Sequence, residues 1–201
     1  MVIPRILFAG LSGGGGKTLV SVGTAAAWRR QGRVVAPFKK GPDYIDAAWL
    51  ARAAGRPCRN LDTFLLDKET VAGSFVTWAG RADVSVIEGN RGIFDGADAG
   101  GTFSTAELAK LLKAPVLLVL NCTKCTRTAA ALVLGCQRLD PDVAMGGVIL
   151  NQTAGPRHEA VLREAIEAAC GIPVLGAIPR LDTPPFPERH LGLVPPDEHG
   201  N

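Results

Sequence analysis

Residues 10–18 read GLSGGGGKT, in which four consecutive glycines lead directly into Lys17 and Thr18. Glycine loses more conformational freedom on folding than any other residue, so this run indicates a backbone shape or a close approach that side chains would prevent. Residues 5–9 form a short apolar run that predicts a strand before the loop, and residues 18–31 have helical spacing after it. A glycine loop between a strand and a helix is typical of phosphate binding.

The loop offers several groups for the phosphate tail of a nucleotide. Its backbone N–H groups can surround a β-phosphate at the positive end of the following helix. Lys17 can neutralise β- and γ-phosphate oxygens, and the Thr18 hydroxyl can bind Mg²⁺. The match to G-x-x-x-x-G-K-[ST] is a variant, because Leu11 stands where the first glycine is expected. The loop residues predicted to contact the nucleotide are Ser12, Gly13, Gly14, Gly15, Gly16, Lys17 and Thr18.

Strand-like and helix-like segments alternate along the rest of the chain. The strand-like segments are continuously apolar, which predicts an α/β protein with a three-layer, mostly parallel sheet and helices on both faces. Residues 1–180 are predicted to form one phosphate-loop domain, and the Pro-rich residues 181–201 a tail or edge segment of it. Further strands are predicted at residues 34–38, 84–87, 115–121, 147–151 and 173–178, and further helices at residues 46–54, 68–79, 104–112, 126–139 and 157–169.

The overall composition argues against several classes of protein. A chain of 201 residues, 47% of them hydrophobic, is long enough for one α/β domain with a substantial core. The net charge of +3 is too weak and too evenly spread to indicate a nucleic-acid surface. The longest apolar run, residues 114–120, is much shorter than a membrane-spanning helix, and the N-terminus lacks a signal-peptide pattern. We therefore expect a cytoplasmic protein without nucleic-acid or membrane partners.

Cysteines do not form a recognisable disulfide framework. Their number is odd, and three of the five are far apart in the sequence. Cys122 and Cys125 form a Cys-x-x-Cys pair after a predicted strand, where a redox pair could sit. A structural zinc site would require a second pair, which the chain lacks. The alternative interpretation is two small apolar side chains packed at a strand-to-helix corner.

Two acidic residues follow predicted strands at the sheet edge where a nucleotide would bind. Asp43 follows the second strand and Glu88 closes the third. Ligands of open α/β sheets bind at the carboxyl ends of the strands, so these carboxylates and the Thr18 hydroxyl predict a Mg²⁺ site. Asp43 has an alternative role as a turn residue that caps the next helix.

Three further charged residues are candidates for the same site. Asp95 lies in a loop with several glycines, which let the backbone approach a ligand. The alternative interpretation of Asp95 is a solvated loop aspartate without a role in the site. Lys39 and Arg91 could each stabilise phosphate or carboxylate charge, or could equally be surface cations.

Nine stretches occur in an order and at spacings that are difficult to produce by chance: GLSGGGGKT, FKKGPDYIDAAW, GRPCRNLD, IEGNRGIFDG, FSTAELAKLLKAPVLLVLN, TRTAAALVLGCQ, GVILNQT, PVLGAIPR and FPERHLGLVP. Together they resemble the ATP-binding synthetase domain of the cobyrinic acid a,c-diamide synthase family, over nearly the whole chain. The resemblance implies a dethiobiotin-synthetase-like phosphate-loop fold and an ATP- and Mg²⁺-dependent amidoligase. The implied reaction amidates the a and c acetate carboxylates of a corrin or related tetrapyrrole through acyl phosphates.

The resemblance also implies roles for individual residues. Thr18, Asp43 and Glu88 would bind the metal, and Lys17, Asp43, Glu88 and Asp95 would surround the phosphoryl group. Tyr44, Ile45 and Arg91 would contact the substrate, although Arg91 stands where many relatives carry an apolar residue. Lys39, Asn151 and Arg189 would contact the nucleotide, Asn151 near the adenine and Arg189 within residues 188–193, a segment that closes over it.

Full-length relatives continue into a glutamine amidotransferase domain, whereas this sequence stops at Asn201. We therefore expect ammonia from solution or from a glutaminase domain or subunit; alternatively, amidation is lost and nucleotide binding is kept. A homodimer is also compatible with the sequence, because a second copy of the chain could cover an exposed sheet edge or the Pro-rich tail. The competing functions are a dethiobiotin synthetase and a dimeric partitioning or septum-positioning ATPase switch, whose usual extra loop lysine is replaced here by Ser12.

Overall fold

The computed structural model describes residues 3–183, 186, 188–189, 192–193 and 196. Its strands are β1 (Arg5–Gly10), β2 (Val35–Lys40), β3 (Arg59–Leu61), β4 (Val84–Glu88), β5 (Val116–Asn121), β6 (Met145–Thr153), β7 (Val174–Pro179), β8 (Glu188–Arg189) and β9 (Gly192–Leu193). Its helices are α1 (Lys17–Arg30), α2 (Ile45–Ala54), α3 (Lys68–Ala79), α4 (Thr105–Leu112), α5 (Thr128–Leu139) and α6 (Pro156–Cys170).

Strands β1 to β7 form one seven-stranded sheet in the order β3-β2-β4-β1-β5-β6-β7, with every neighbouring pair parallel. Apolar side chains are buried on both faces of the sheet. Helices α1 and α2 pack on one face around Phe8, and helices α3 to α6 pack on the other around Leu7 and Leu118. The predicted three-layer α/β architecture is therefore confirmed.

The strand order determines which strand ends meet. β1 lies between β4 and β5, and β2 lies next to β4 on the far side from β1. The loop after β1 is therefore flanked by the carboxyl end of β4, with the end of β2 one strand further out. β4 is buried over its whole length, which carries the Glu88 carboxylate into the interior beside this loop.

The structure contains three short strands that were not predicted. Two of them, β8 and β9, form an antiparallel pair within residues 181–201, whose place as a tail or edge segment of the domain stays a prediction. Strand β3, at the edge of the main sheet, was not predicted at all. These strands have two or three residues each, which is too short for a hydrophobic period to be recognised.

Among the described residues, no helix combines the length and the apolar character that crossing a membrane requires.

Candidate nucleotide and carboxylate site

The glycine loop connects β1 to α1 and fixes Lys17 at the first position of the helix. Gly14 and Gly16 have left-handed backbones, with φ of 70° and 97°, which favour glycine. The Lys17 side chain is buried, and its Nζ donates to the Ser12 carbonyl at 2.9 Å. A Cβ on Gly10 would lie 3.3 Å from Lys17 Cγ, so this glycine makes room for the lysine stem. The loop thus holds the Lys17 ammonium group against its own backbone.

Asn151, near the end of β6, supports the loop from behind. Its side chain is buried, and Nδ2 donates to the Gly15 carbonyl at 3.1 Å. The fit against the neighbouring glycine is tight, because a Cβ on Gly16 would lie 2.1 Å from Asn151 Nδ2. The structure therefore places Asn151 in contact with the phosphate loop. Its contact with adenine stays a prediction.

We expect Gly16→Ala to weaken nucleotide binding by at least about tenfold, because it combines the steric overlap with Asn151 with a left-handed backbone that alanine resists. The affinity for a fluorescent ATP analogue is the measurement. Gly23→Ala is the matched control, since Gly23 lies within α1 and a Cβ there meets nothing within 4 Å. Equal affinity in Gly16→Ala and the unmodified chain would contradict the role given to this close contact.

Glu88 is the centre of the polar cluster beside the loop. Its carboxylate is 0% exposed, and both of its oxygens accept hydrogen bonds from α1. Thr18 Oγ1 donates to Oε1 at 2.7 Å, and Ser21 Oγ donates to Oε2 at 2.5 Å. Lys39 Nζ donates to Oε1 at 3.0 Å. Ser21 was not among the predicted site residues, although it lies one helical turn after Thr18 and so faces the same side of α1.

Lys39, near the end of β2, is surrounded by three carboxylates. Besides Glu88, its Nζ lies 2.8 Å from Asp46 Oδ2 and 3.9 Å from Asp43 Oδ2. Burial alone would lower the pKa of Lys39, but the charges of Glu88 and Asp46 outweigh it and raise that pKa. Lys39 is therefore a buried ammonium ion and not a surface cation. Asp46, which completes this arrangement, was not among the predicted site residues.

Asp43 has the structural role predicted as its alternative, that of a turn residue at the start of the next helix. Its Oδ1 accepts a hydrogen bond from the Asp46 backbone N–H at 2.9 Å, which satisfies a free donor at the start of α2. The Asp43 carbonyl also accepts a bond from Asn60 Nδ2 at 2.9 Å, which ties this turn to β3. Burial raises the pKa of the Asp43 carboxyl, and the neighbouring Asp46 charge adds to this. The other oxygen, Oδ2, faces the Lys39 ammonium at 3.9 Å.

The remaining predicted residues belong to the loop after β4 and to the turn before α2. Asp95 Oδ2 accepts from the Gly92 backbone N–H at 2.8 Å, so this carboxylate closes its own loop. Arg91 is exposed and has a left-handed φ of 48°. Tyr44 is 70% exposed immediately before Ile45, the first residue of α2.

The side chain of Arg189 lies outside the described residues, so its contact with the nucleotide stays a prediction. The described parts of the C-terminal segment contact α2. The Phe186 and Trp49 rings lie 5.0 Å apart, and Arg52 Nη1 donates to the Pro196 carbonyl at 3.2 Å.

Oxygen donors suitable for Mg²⁺ are present between the loop and β4. Within the described residues, no group of three or more His, Cys, Asp or Glu side chains could hold a metal by itself. A nucleotide-bound Mg²⁺ usually takes only one or two protein carboxylates, with phosphate and water oxygens as its other ligands. Thr18 Oγ1 and Glu88 Oε1, 2.7 Å apart, fit that pattern. Asp43 as a third ligand stays a prediction.

Cys122 and Cys125 pack at the end of β5. The Cys122 side chain is buried, and its Sγ donates to the Leu120 carbonyl at 3.3 Å. Burial raises the pKa of the Cys122 thiol to about 12. Because the thiolate is the reactive form, this environment favours the interpretation of two packed side chains over a redox pair.

Comparison with known sequences identifies relatives of the whole chain. The family model described as the CobQ/CobB/MinD/ParA nucleotide binding domain matches residues 6–193. The cobyrinate a,c-diamide synthase of Magnetococcus marinus is 52% identical over 196 residues, which are 98% of this chain and 42% of the relative. The hydrogenobyrinate a,c-diamide synthase of Streptomyces coelicolor is 48% identical over 200 residues, 99% of this chain and 41% of the relative. The chain thus spans about two-fifths of the length of these relatives, and the resemblance drawn from its motifs is confirmed.

Solved structures with the same fold are much more distant in sequence. The signal recognition particle 54 kDa protein of Aeropyrum pernix, in complex with GDP, superimposes with a TM-score of 0.59 at 16% identity, covering 89% of this chain and 42% of that one. The hydrogenase maturation factor HypB of Archaeoglobus fulgidus gives a TM-score of 0.55 at 13% identity, covering 86% of this chain and 80% of that one. At these identities the likeness confirms the phosphate-loop NTPase fold alone.

Proposed function

We propose that this chain, which belongs to the family of CobQ/CobB/MinD/ParA nucleotide binding domains, is an ATP-dependent amidoligase. It uses ATP and Mg²⁺ to convert carboxylates of a corrin-type tetrapyrrole into amides. The observation that carries the proposal is the Thr18–Glu88–Lys39 cluster directly beside a glycine loop that presents Lys17. The names of the relatives, cobyrinate and hydrogenobyrinate a,c-diamide synthases, supply the class of substrate.

The residues of the loop would bind the nucleotide. Backbone N–H groups of residues 12–18 would surround the β-phosphate, and Lys17 would neutralise the oxygens between the β- and γ-phosphates. Mg²⁺, held by Thr18 and Glu88 and approached by Asp43, would supply further neutralisation of phosphate charge when bound. The burial of Lys17 and Glu88 strengthens these interactions, because charges act over a low local dielectric there.

The reaction would proceed in two displacements. An oxygen of the substrate carboxylate attacks the γ-phosphorus, the bond to the β-phosphate oxygen breaks, and ADP leaves. The nitrogen of ammonia then attacks the acyl carbon of the resulting acyl phosphate, loses a proton, and displaces inorganic phosphate to give the amide. Both steps mainly require positioning and charge stabilisation, which the fixed ammonium groups of Lys17, at the start of α1, and Lys39, near the end of β2, would provide.

Ammonia would come from solution or from a glutaminase domain or subunit. The relatives are more than twice as long as the part that matches this chain, so a further domain or a partner is a reasonable source of this reactant. The family description also includes MinD and ParA, which keeps an ATPase switch as the second candidate. A switch would hydrolyse ATP without regard to a tetrapyrrole and without forming an amide.

Mass spectrometry of the products tests the proposed function directly. The chain is incubated with ATP, Mg²⁺, ammonium chloride and either cobyrinic acid or hydrogenobyrinic acid. We expect ATP-dependent conversion of carboxylate to carboxamide, with ¹⁵N incorporated when ¹⁵N-ammonium is used. Reactions without ATP are the control. Failure to form amide with either acid, even with an added glutaminase, while ATP still binds, would contradict the amidoligase assignment.

A further inference from the structure

Two aromatic side chains and a leucine form an apolar patch at the carboxyl end of the sheet, in the segments that follow β3 and β4. We call Phe64, Leu65 and Phe103 the apolar shelf. Phe64 is 68% exposed and Leu65 is 64% exposed. The Phe64 and Phe103 rings meet edge to face, with centroids 5.4 Å apart and an interplanar angle of 87°. Grouped exposed apolar side chains on a soluble domain commonly mark a binding surface.

The first half of the shelf is held in place by a turn after β3. Asp62 Oδ1 accepts hydrogen bonds from the backbone N–H groups of Phe64 at 2.9 Å and Leu65 at 3.4 Å. The Asp62 carbonyl accepts from the Leu66 N–H at 3.1 Å. The Asp62 side chain is itself buried, so the turn is anchored to the body of the domain. The exposure of Phe64 and Leu65 is therefore imposed by a fixed turn.

The second half comes from the loop between β4 and α4. Phe103 has a left-handed φ of 63°, which is unfavourable for a residue with a bulky side chain. Asp98 holds the preceding residues, because its Oδ1 accepts from the Thr102 N–H at 3.0 Å and its Oδ2 from the Thr102 hydroxyl at 2.6 Å. Ser104 caps α4 on the other side, accepting from the Glu107 N–H at 3.3 Å. A strained backbone fixed on both sides thus brings the Phe103 ring to Phe64.

Two cations come from the carboxyl ends of β2 and β4, the strands that separate β3 from β1. Lys40 ends β2, in register with Leu61 of β3, and Arg91 follows β4 in the neighbouring loop. Burial lowers the pKa of the Lys40 amine, Asp62 opposes this, and the charges of Lys39 and Arg91 add to it. Of the residues that the structure describes, none places a carboxylate oxygen within ion-pairing distance of Lys40 or Arg91. A ligand carboxylate would relieve the repulsion between these cations.

We propose that the apolar shelf receives the flat face of a tetrapyrrole polycarboxylic acid, while Lys40 and Arg91 pair with carboxylates on its rim. This proposal rests on the proposed function for the choice of ligand. The position is suitable, because three strand spacings, on the order of 15 Å in total, separate β3 from β1 in the sheet. A macrocycle lying on the shelf can therefore extend a peripheral carboxylate toward the phosphate loop. Face contact does not depend on a central metal, so the shelf accepts both cobalt-containing and metal-free corrins.

Equilibrium dialysis with cobyrinic acid and hydrogenobyrinic acid tests the shelf. We expect Phe64→Ala to weaken binding of both acids at least tenfold, and Phe103→Gly to do the same. Phe103→Gly relieves backbone strain at its site, so a folding defect is not expected there. Leu139→Ala is the matched control, because Leu139 is 70% exposed at the last residue of α5. Affinity for a fluorescent ATP analogue is expected to be unchanged in all three variants.

The amidation assay separates this proposal from the proposed function. In that assay the shelf variants are expected to raise the KM for the tetrapyrrole at least tenfold with little change in kcat. Amide formation with an unaltered KM would overturn the shelf and leave the amidoligase standing. Shelf-dependent binding without any amide would support the shelf and overturn the amidoligase. If neither acid binds to the unmodified chain, the proposal for the shelf is overturned.

Discussion

Replacing Lys17 with alanine is expected to reduce ATP-dependent turnover by about 10²–10³-fold, because it removes a preorganised charge from the position where the transferred phosphoryl group develops negative charge. The Lys17 ammonium is buried and already held at 2.9 Å from the Ser12 carbonyl, so little reorganisation is needed when a nucleotide arrives. Steady-state kinetics with saturating ATP is the measurement. Turnover within a few-fold of the unmodified chain would remove Lys17 from the catalytic site.

The fold is expected to survive this substitution. Burial lowers the pKa of Lys17, and the Lys39 charge adds to this, against the opposing charges of Glu88, Asp46 and Asp95. A lysine whose pKa is lower in the folded protein than in the unfolded one destabilises the folded state at every pH at which the lysine is protonated. This destabilisation is lost as the pH rises through the folded-state pKa to the ordinary pKa of lysine. Lys17→Ala should therefore unfold at the same temperature or a higher one at neutral pH. Lys68→Ala is the matched control, since Lys68 is the exposed first residue of α3.

The core of the candidate site was predictable because strand ends and loop positions fix it. Thr18 follows the loop lysine, and Glu88 closes a buried strand, so parallel topology alone brings the two side chains to one edge. Asp46 was not predicted, because it is the second residue of α2 and no motif distinguishes it from other acids in a first helical turn. The packing of α2 against β2 brings its Oδ2 to 2.8 Å from Lys39 Nζ.

The apolar shelf could not be predicted from local patterns. Phe64 and Phe103 lie in separate loops, and only the order of β3, β2 and β4 in the sheet brings those loops together. Strand β3 itself, with three residues, has no recognisable alternation, so its place at the sheet edge was not visible. Short elements and contacts between loops depend on tertiary packing, and the hydrophobic periodicity of a single sequence does not reveal that packing.

Replacing Lys39 with methionine is expected to lower the free energy of unfolding by about 3–5 kcal/mol, the usual cost of leaving a buried charge without its partner. Glu88 is 0% exposed and, among the described residues, would keep only the Thr18 and Ser21 hydroxyls as donors. The double variant Lys39→Met/Glu88→Gln should recover most of this loss, because a neutral amide replaces the carboxylate. Chemical denaturation of both variants gives the comparison, and losses that simply add would contradict the ion pair.

The pH dependence of the Lys39→Met variant provides an independent check on the same pair. Burial raises the pKa of Glu88, and the variant lacks the Lys39 charge that opposes this effect. An acid whose pKa is raised on folding weakens the folded state as the pH rises above its unfolded pKa, so the destabilisation should be larger at about pH 8 than at about pH 5. The double variant should lose this pH dependence and regain stability, yet stay inactive, since the Glu88 carboxylate is also the proposed Mg²⁺ ligand. Recovery of turnover together with stability would show that Glu88 serves the fold and not the metal.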